Sequence, residues 1–199
     1  MNKVKKGKLF IISAPSGAGK SSLINEILKR GKGSGSLIEL SVSATTRLPR
    51  PNDEEGKDYF FISDDKFKDL SSEAAFLESA TVHGNSYGTL KNYVDLKLDA
   101  GVNLILDIDV QGFEQISKKN IKNTSIFIIP PSIDELKSRL VNRNEDSHDV
   151  IEARLNNAIT ELAGANNYDF KVLNDNFDEA ADELYNLIVI NTIHNEYTD

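Results

Sequence analysis

A lysine and a serine set directly behind a glycine-rich turn are the first residues of the chain with chemistry to do. Residues 13–22 read SAPSGAGKSS, with Gly17, Gly19, Lys20 and Ser21 between an apolar run and a helical pattern. Glycines let the backbone curl so that successive N–H groups point inward at phosphate oxygens, and a helix N-terminus adds partial positive charge. Lys20 then reaches the β- and γ-phosphates of a nucleoside triphosphate, and Ser21 offers its hydroxyl to Mg²⁺. Ala14, Pro15, Ser16, Gly17, Ala18, Gly19, Lys20, Ser21 and Ser22 together make the candidate cradle, with Ala14 standing where the pattern GxxxxGK[ST] has its first glycine. A plain glycine-rich turn capping a helix is the competing reading.

Carboxylates follow in LILDID, where Asp107 and Asp109 lie two apart and share one side of an extended strand. Either can hold Mg²⁺ through its waters, bond to a substrate, or cap the helix that follows. Arg47 and Arg50 are three apart in a polar stretch; guanidinium forks can grip a phosphate bidentately, and solvated loop charges are the competing reading. Arg139 and Arg143, four apart, share one helix face.

The elements that must carry these residues are legible in the hydrophobic pattern. Residues 8–13 (KLFIIS) read as a buried strand, and residues 20–30 as a helix with Leu23, Ile24, Ile27 and Leu28 at helical spacing, broken by GKGSGS at 31–36. Further strands fit 102–106 and 124–129, the latter ending at Pro130-Pro131, with helical patterns near 111–118 and 132–143. Strands alternating with helices imply a parallel sheet covered on both faces, with ligands at the strands' carboxyl ends. Residues 41–88 do not fit that alternation; they are mixed, with short β runs at 59–62 and 76–82. Residues 132–166 are helical, and Ile151, Leu155, Ala158, Ile159 and Leu162 mark one face of a helix opening near Asp149.

Composition narrows the possibilities. A chain of 199 residues, 39% hydrophobic and 27% charged, supports one compact domain. Its net charge of −8 argues against broad nucleic-acid binding, so an anionic ligand needs a local basic pocket. There is no cysteine for a disulfide, thiolate metal site or nucleophile, and His83, His148 and His194 are scattered. The apolar runs are too short to span a bilayer, and a cytoplasmic location is expected.

Phosphate binding alone leaves GTPases, ATPases and small-molecule kinases open. After the loop, however, come SVSATTRLPR (41–50), GKDYFF (56–61), FLES (76–79), GNSYGT (84–89) and LDIDVQG (106–112), then PPSIDELKSRL and VLNDNFDEA. In this order and spacing they resemble the guanylate kinase family, from about residue 9 to residue 187. The resemblance implies a P-loop nucleoside monophosphate kinase-like α/β fold: three layers α/β/α with a parallel core sheet, a mixed GMP-binding subdomain and a helical lid. It divides one domain into core with phosphate loop (1–40), GMP-binding subdomain (41–95), core (96–130), lid and flanking helix (131–166) and core (167–199).

The activity it implies is transfer of the γ-phosphoryl group of ATP, with Mg²⁺, to GMP or dGMP, giving ADP and GDP. The phosphate of GMP falls to Arg47, Arg50, Tyr59 and Tyr87. Guanine falls to Glu78, which accepts from N1–H and the 2-amino group, with further polar contacts from Ser43, Thr89 and Asp109; Asp107 joins the acceptor set. Lys20, Arg50, Arg143 and Arg154 are the expected catalytic group. Arg139 closes over the triphosphate and Asn174 lies near the adenine, with hinges near Ser41, Gly88 and Pro130-Pro131. No nucleic-acid or membrane partner is implied, and the chain is expected as a monomer or homo-oligomer.

Two departures bear on loop shape: Asn52 replaces the glycine common after the second proline, and Ser86 stands where an aromatic residue often precedes Tyr87. The rivals are a guanylate-kinase-like scaffold domain that binds phosphopeptides, a kinase for another nucleotide, and a P-loop GTPase. The last lacks an NKxD motif and would place guanine on the donor side.

Overall fold

Five consecutive apolar or small residues buried on both sides, Leu9–Ser13 (β1), start the molecule as an interior strand. The computed structural model describes residues 5–34, 36–82, 84–142 and 148–193. In chain order there follow α1 (Lys20–Ser34), β2 (Ile38–Leu40), β3 (Ser43–Thr45), β4 (Tyr59–Phe61), α2 (Asp64–Ser72), β5 (Phe76–Val82), β6 (Asn85–Leu90), α3 (Lys91–Asp99), β7 (Asn103–Asp107), α4 (Val110–Lys118), β8 (Thr124–Ile129), α5 (Ile133–Asn142), α6 (His148–Ala163), β9 (Phe170–Leu173) and α7 (Phe177–Ile193).

The main sheet has the order β2-β7-β1-β8-β9, every pair parallel. Side chains alternate across it. Phe10, Ile12, Ile105, Ile126 and Ile128 pack with Leu23, Ile24 and Ile27 of α1 and Ala181, Leu184 and Ile188 of α7. Leu9, Ile11, Leu104, Leu106 and Phe127 pack on the other side with Val94 and Leu98 of α3 and Phe113 and Ile116 of α4. Period-2 alternation on strands covered both ways produces the three-layer α/β/α fold that the sequence implies. The register sets Ile12 beside Asp107 and Ser13 beside Phe127, so the loop leaving β1 and the end of β7 share the sheet's carboxyl edge.

A second sheet, β4-β3-β6-β5, is mixed and has its own core of Ala44, Phe67 and Phe76, flanked by Phe60, Ile62, Leu70 and Leu90. A third small core joins α5 and α6 through Leu136, Leu140, Ile151 and Ala158. Ile159, expected on that buried face, is 52% exposed, while Leu162 packs against the main sheet instead.

One boundary differs from the sequence expectation. Glycines at 31 and 33 predict a break, yet α1 continues to Ser34. Gly31 is buried against Ile38, and the Ser36 N–H donates to the Gly31 carbonyl at 3.1 Å, so packing and closure of the last turn outweigh a propensity penalty of about 1 kcal/mol per glycine.

Candidate active site

The phosphate loop is held in shape from beneath and from above. Gly17 and Gly19 both have φ of 91°, in the left-handed region that side chains avoid. Space demands glycine too. A Cβ on Gly19 would run into the Asn174 amide, and one on Gly17 would meet Leu136 and Leu140 of α5 at 3.1–3.3 Å. Asn174, 5% exposed, donates from Nδ2 to the Ala18 carbonyl at 2.7 Å while its own N–H bonds to Ile129 at 2.8 Å. Ala14 stands where the motif has glycine, and it is buried in the core cluster below the loop, where its methyl packs.

Lys20 opens α1 and points back over the sheet edge. Its Nζ forms an ion pair with Asp107 and lies 3.4 Å from the Ile108 carbonyl. Asp109 takes the capping option that the sequence left open: its Oδ1 accepts from the Gly112 N–H at 2.8 Å at the start of α4. A cavity of about 330 Å³ over the loop is lined by residues 14–17 and 19–22, with Asp109 and Glu161. Beside it a cavity of about 430 Å³ is lined by Gly17, Gly19, Ser22, Arg139, Asn174, Asp175 and Phe177.

Ser21, Asp109 and Glu161 bring hard oxygen donors to the first cavity, the type that suits Mg²⁺ directly or through water. Among the described residues no three His, Asp or Glu side chains are grouped to hold a metal. A cation bound there would draw its remaining ligands from water or from a ligand's phosphate oxygens.

The acceptor residues gather on the mixed sheet. β5 and β6 slip register between Phe76 and Ser79, which interrupts the ladder at Glu78. Side chains of α4 and its C-terminal neighbour replace the lost bonds: Gln115 both donates to and accepts from the Ser79 backbone, and Lys119 Nζ donates to the carbonyls of Phe76 and Leu77. Glu78 is thereby fixed, 7% exposed, with the Thr89 hydroxyl donating to its Oε1 at 2.5 Å. Burial pushes its carboxyl up, Thr89 draws it partly back, and the Asp109 charge adds to the rise. Gly112 leaves room for Oε2, since a Cβ there would lie 3.2 Å from it.

Arg47 lies with its guanidinium carbon 5.3 Å from the Tyr59 ring centre and 5.7 Å from that of Phe61, and Nη2 donates to Asp53 at 2.8 Å. The same Asp53 oxygen accepts from the Arg50 N–H at 2.8 Å, while the Arg50 side chain is exposed. Those bonds to Arg50 and Arg47 hold the Asp53 carboxyl below its ordinary range. Tyr59 and Tyr87 rings are 5.8 Å apart, and Ser43 pairs with Tyr59 across the sheet.

Most of the expected residues thus converge on two neighbouring sites, bridged by Asp107 and Asp109, whose charges are felt at Tyr59 and at Glu78 respectively. Arg139 bonds to Glu135 at 3.0 Å and to the Asn174 carbonyl at 3.3 Å, at the outer cavity. Arg154 sits partly buried on α6. Arg143, like His83 and His194, lies outside the described residues. Four contributors carry no local signal that the sequence reading used: Asp53, Gln115, Lys119 and Glu161. Asp53 was within reach, in the turn after Pro51 where an acid can bond the backbone of Arg50.

A glycine-rich loop at the carboxyl edge of a parallel sheet, beside a mixed sheet carrying Tyr59, Tyr87 and the buried Glu78, is the arrangement of a P-loop kinase of the nucleoside monophosphate class. Comparison with known proteins narrows the class. The family model for guanylate kinase matches residues 6–190. A guanylate kinase of Shewanella denitrificans is 46% identical over 183 residues, 92% of this chain and 87% of that one. One from Coxiella burnetii is 46% identical over 185 residues, 93% and 88% of the two chains. The crystal structure of guanylate kinase from Anaplasma phagocytophilum superposes with a TM-score of 0.71 at 31% identity, covering 95% of this chain and 88% of that one. The chain belongs to the guanylate kinase family, whose members are ATP:GMP phosphotransferases.

Proposed function

We propose that in the ATP:GMP phosphotransfer carried out by this chain, the donor and acceptor nucleotides are read by separate groups of side chains meeting at Lys20. Residues 14–22 hold the triphosphate through backbone N–H groups, and Lys20 leaves Asp107 for the phosphates when ATP enters. Arg139 and Asn174 border the outer cavity and face the adenosine end. Ser21, with Asp109 behind it, would hold Mg²⁺, which when bound would neutralise developing phosphate charge.

On the acceptor side, Arg47, Arg50, Tyr59 and Tyr87 take the GMP phosphate. Glu78, Thr89, Ser43 and Asp109 read the base, with Asp107 between the two nucleotides. Asp53 keeps the Arg47 guanidinium oriented before the phosphate arrives. Arg143 and Arg154 join from the lid, residues 131–166, as it closes over residues 41–95. The protein works by alignment and charge stabilisation and needs no covalent intermediate. No helix among the described residues is long and apolar enough to cross a membrane, and the reading is of a cytoplasmic enzyme acting on free GMP or dGMP, as a monomer or homo-oligomer without nucleic acid.

The observation that carries the acceptor assignment is the buried Glu78 carboxylate beside Thr89. Guanine offers it two N–H donors, whereas adenine offers a lone pair at N1 and no 2-amino group. A site built to bond a substrate group discriminates against analogues lacking it by roughly 10⁴-fold or more. Purified protein with Mg²⁺-ATP, assayed by coupled ADP release, turns over GMP and is near background with AMP, CMP or UMP, and Glu78→Gln narrows that gap. Equal rates with AMP would overturn the assignment.

A further inference from the structure

Glu161 is a half-buried carboxylate at a place that receives a triphosphate, and the residue roles above leave its negative charge without a reason of its own. It lies near the end of α6 and lines the phosphate-loop cavity with Lys20, Ser21 and Asp109. Burial pushes its carboxyl up and the Asp109 charge adds to this, with Lys20 pulling it back down. Among the described residues its side chain makes no hydrogen bond or ion pair, and Lys20 is engaged with Asp107. A desolvated carboxylate without donors is unfavourable, and one facing phosphates is doubly so unless a cation stands between them. The helical period puts Glu161 seven residues after Arg154, on the same face of α6, with the buried Ala158 between them.

We infer that Glu161 is a positioning residue of the donor site: it gives the lid a hold on the divalent cation carried by ATP, accepting hydrogen bonds from cation-bound water. This rests on the donor-site reading above. Such partners behind a metal's direct ligands are worth about ten- to a hundredfold in metal affinity. They also make the sign of the effect depend on the metal. With the cation present, Glu161 attracts; without it, the same charge repels the triphosphate.

Calorimetric titration of the whole protein with an unreactive ATP analogue, in Mn²⁺ and again in EDTA, separates the two. For Glu161→Gln the expected result is about tenfold weaker binding with Mn²⁺ and equal or tighter binding in EDTA, with GMP affinity unchanged. Glu161→Asp keeps the charge and restores part of the Mn²⁺ dependence. Equal loss with and without Mn²⁺ would make Glu161 a structural strut of the lid, and an unchanged Mn²⁺ dependence would remove its role; either overturns the inference. Lys20→Ala tests the reading beneath it, since that variant should weaken the analogue in both conditions. A wild-type protein that binds no analogue refutes the donor site as well.

Discussion

Glu78 shows how a residue can serve function at a cost to the fold. Burial raises its carboxyl above the ordinary carboxylate range, although Thr89 offsets part of the rise. An acid whose folded pKa exceeds its unfolded one binds more protons when folded. Stability therefore falls as pH climbs from the unfolded pKa through the raised one, and stays lowered at neutral pH. Guanine, donating two hydrogen bonds, stabilises the ionised form. Glu78→Gln is expected to raise the Tm of the ligand-free protein at pH 7 and flatten its pH dependence above pH 4, while raising KM for GMP about ten- to a hundredfold. Melting curves from pH 4 to 8 beside steady-state kinetics check both; a variant that melts no higher at neutral pH would place the strain elsewhere. Lys20 could be picked out from its glycine-rich string, and Arg47 and Glu78 through the family resemblance that their strings carry. Asp53 and Glu161 were not, because their meaning depends on what the fold brings near them: Asp53 joins two arginine contacts, and Glu161 reaches the loop from the far half of the chain.

Among elements, the junction of β9 and α7 braces the phosphate loop from outside it. Asn174 at that junction holds the Ala18 carbonyl and fills the space that Gly19 leaves open. Asn174→Ala removes the bond and opens a gap under the loop, stranding a buried carbonyl at about 1–3 kcal/mol. KM for ATP is expected to rise about tenfold with little change for GMP, and the amides of residues 15–20 to exchange faster with solvent. Unchanged exchange there would show that the loop holds its shape without the brace. β1 and β8 were readable from the sequence because a strand buried on both faces is an unbroken apolar run. β2 and β3 have three residues each, and β6 reads NSYGTL, a turn by composition. β3 and β6 form because partner strands stand on both flanks, and β2 because β7 offers it an edge, a cause that no local window contains.

At the scale of the molecule, both substrates are anions and the protein carries a net charge of −8. Its long-range field does not draw them in, so on the proposed reading affinity is made at short range, by Lys20 and by the arginines of two arms. Each arm has a core of its own, Phe67 and Phe76 in one and Leu136 and Leu140 in the other, apart from the two clusters of the main sheet. The arms can shift about the main sheet, with Leu77 of β5 and Leu162 of α6 still packed in its core and Gln115 and Lys119 tying β5 to α4. The acceptor arm leaves the sheet just after Ser41, whose N–H donates to the Ile105 carbonyl at 2.8 Å, so one hinge is expected just beyond that tie. On the proposed reading GMP gives the acceptor arm charge to close on, and ATP does the same for the lid. The radius of gyration from solution X-ray scattering is expected to fall with GMP alone, and to fall further with GMP and an unreactive ATP analogue together. Arg47→Ala is expected to abolish the first contraction and Lys20→Ala to reduce only the second. If neither ligand contracts the molecule, the two sites are preformed, and the arginines must reach both phosphates by side-chain motion alone.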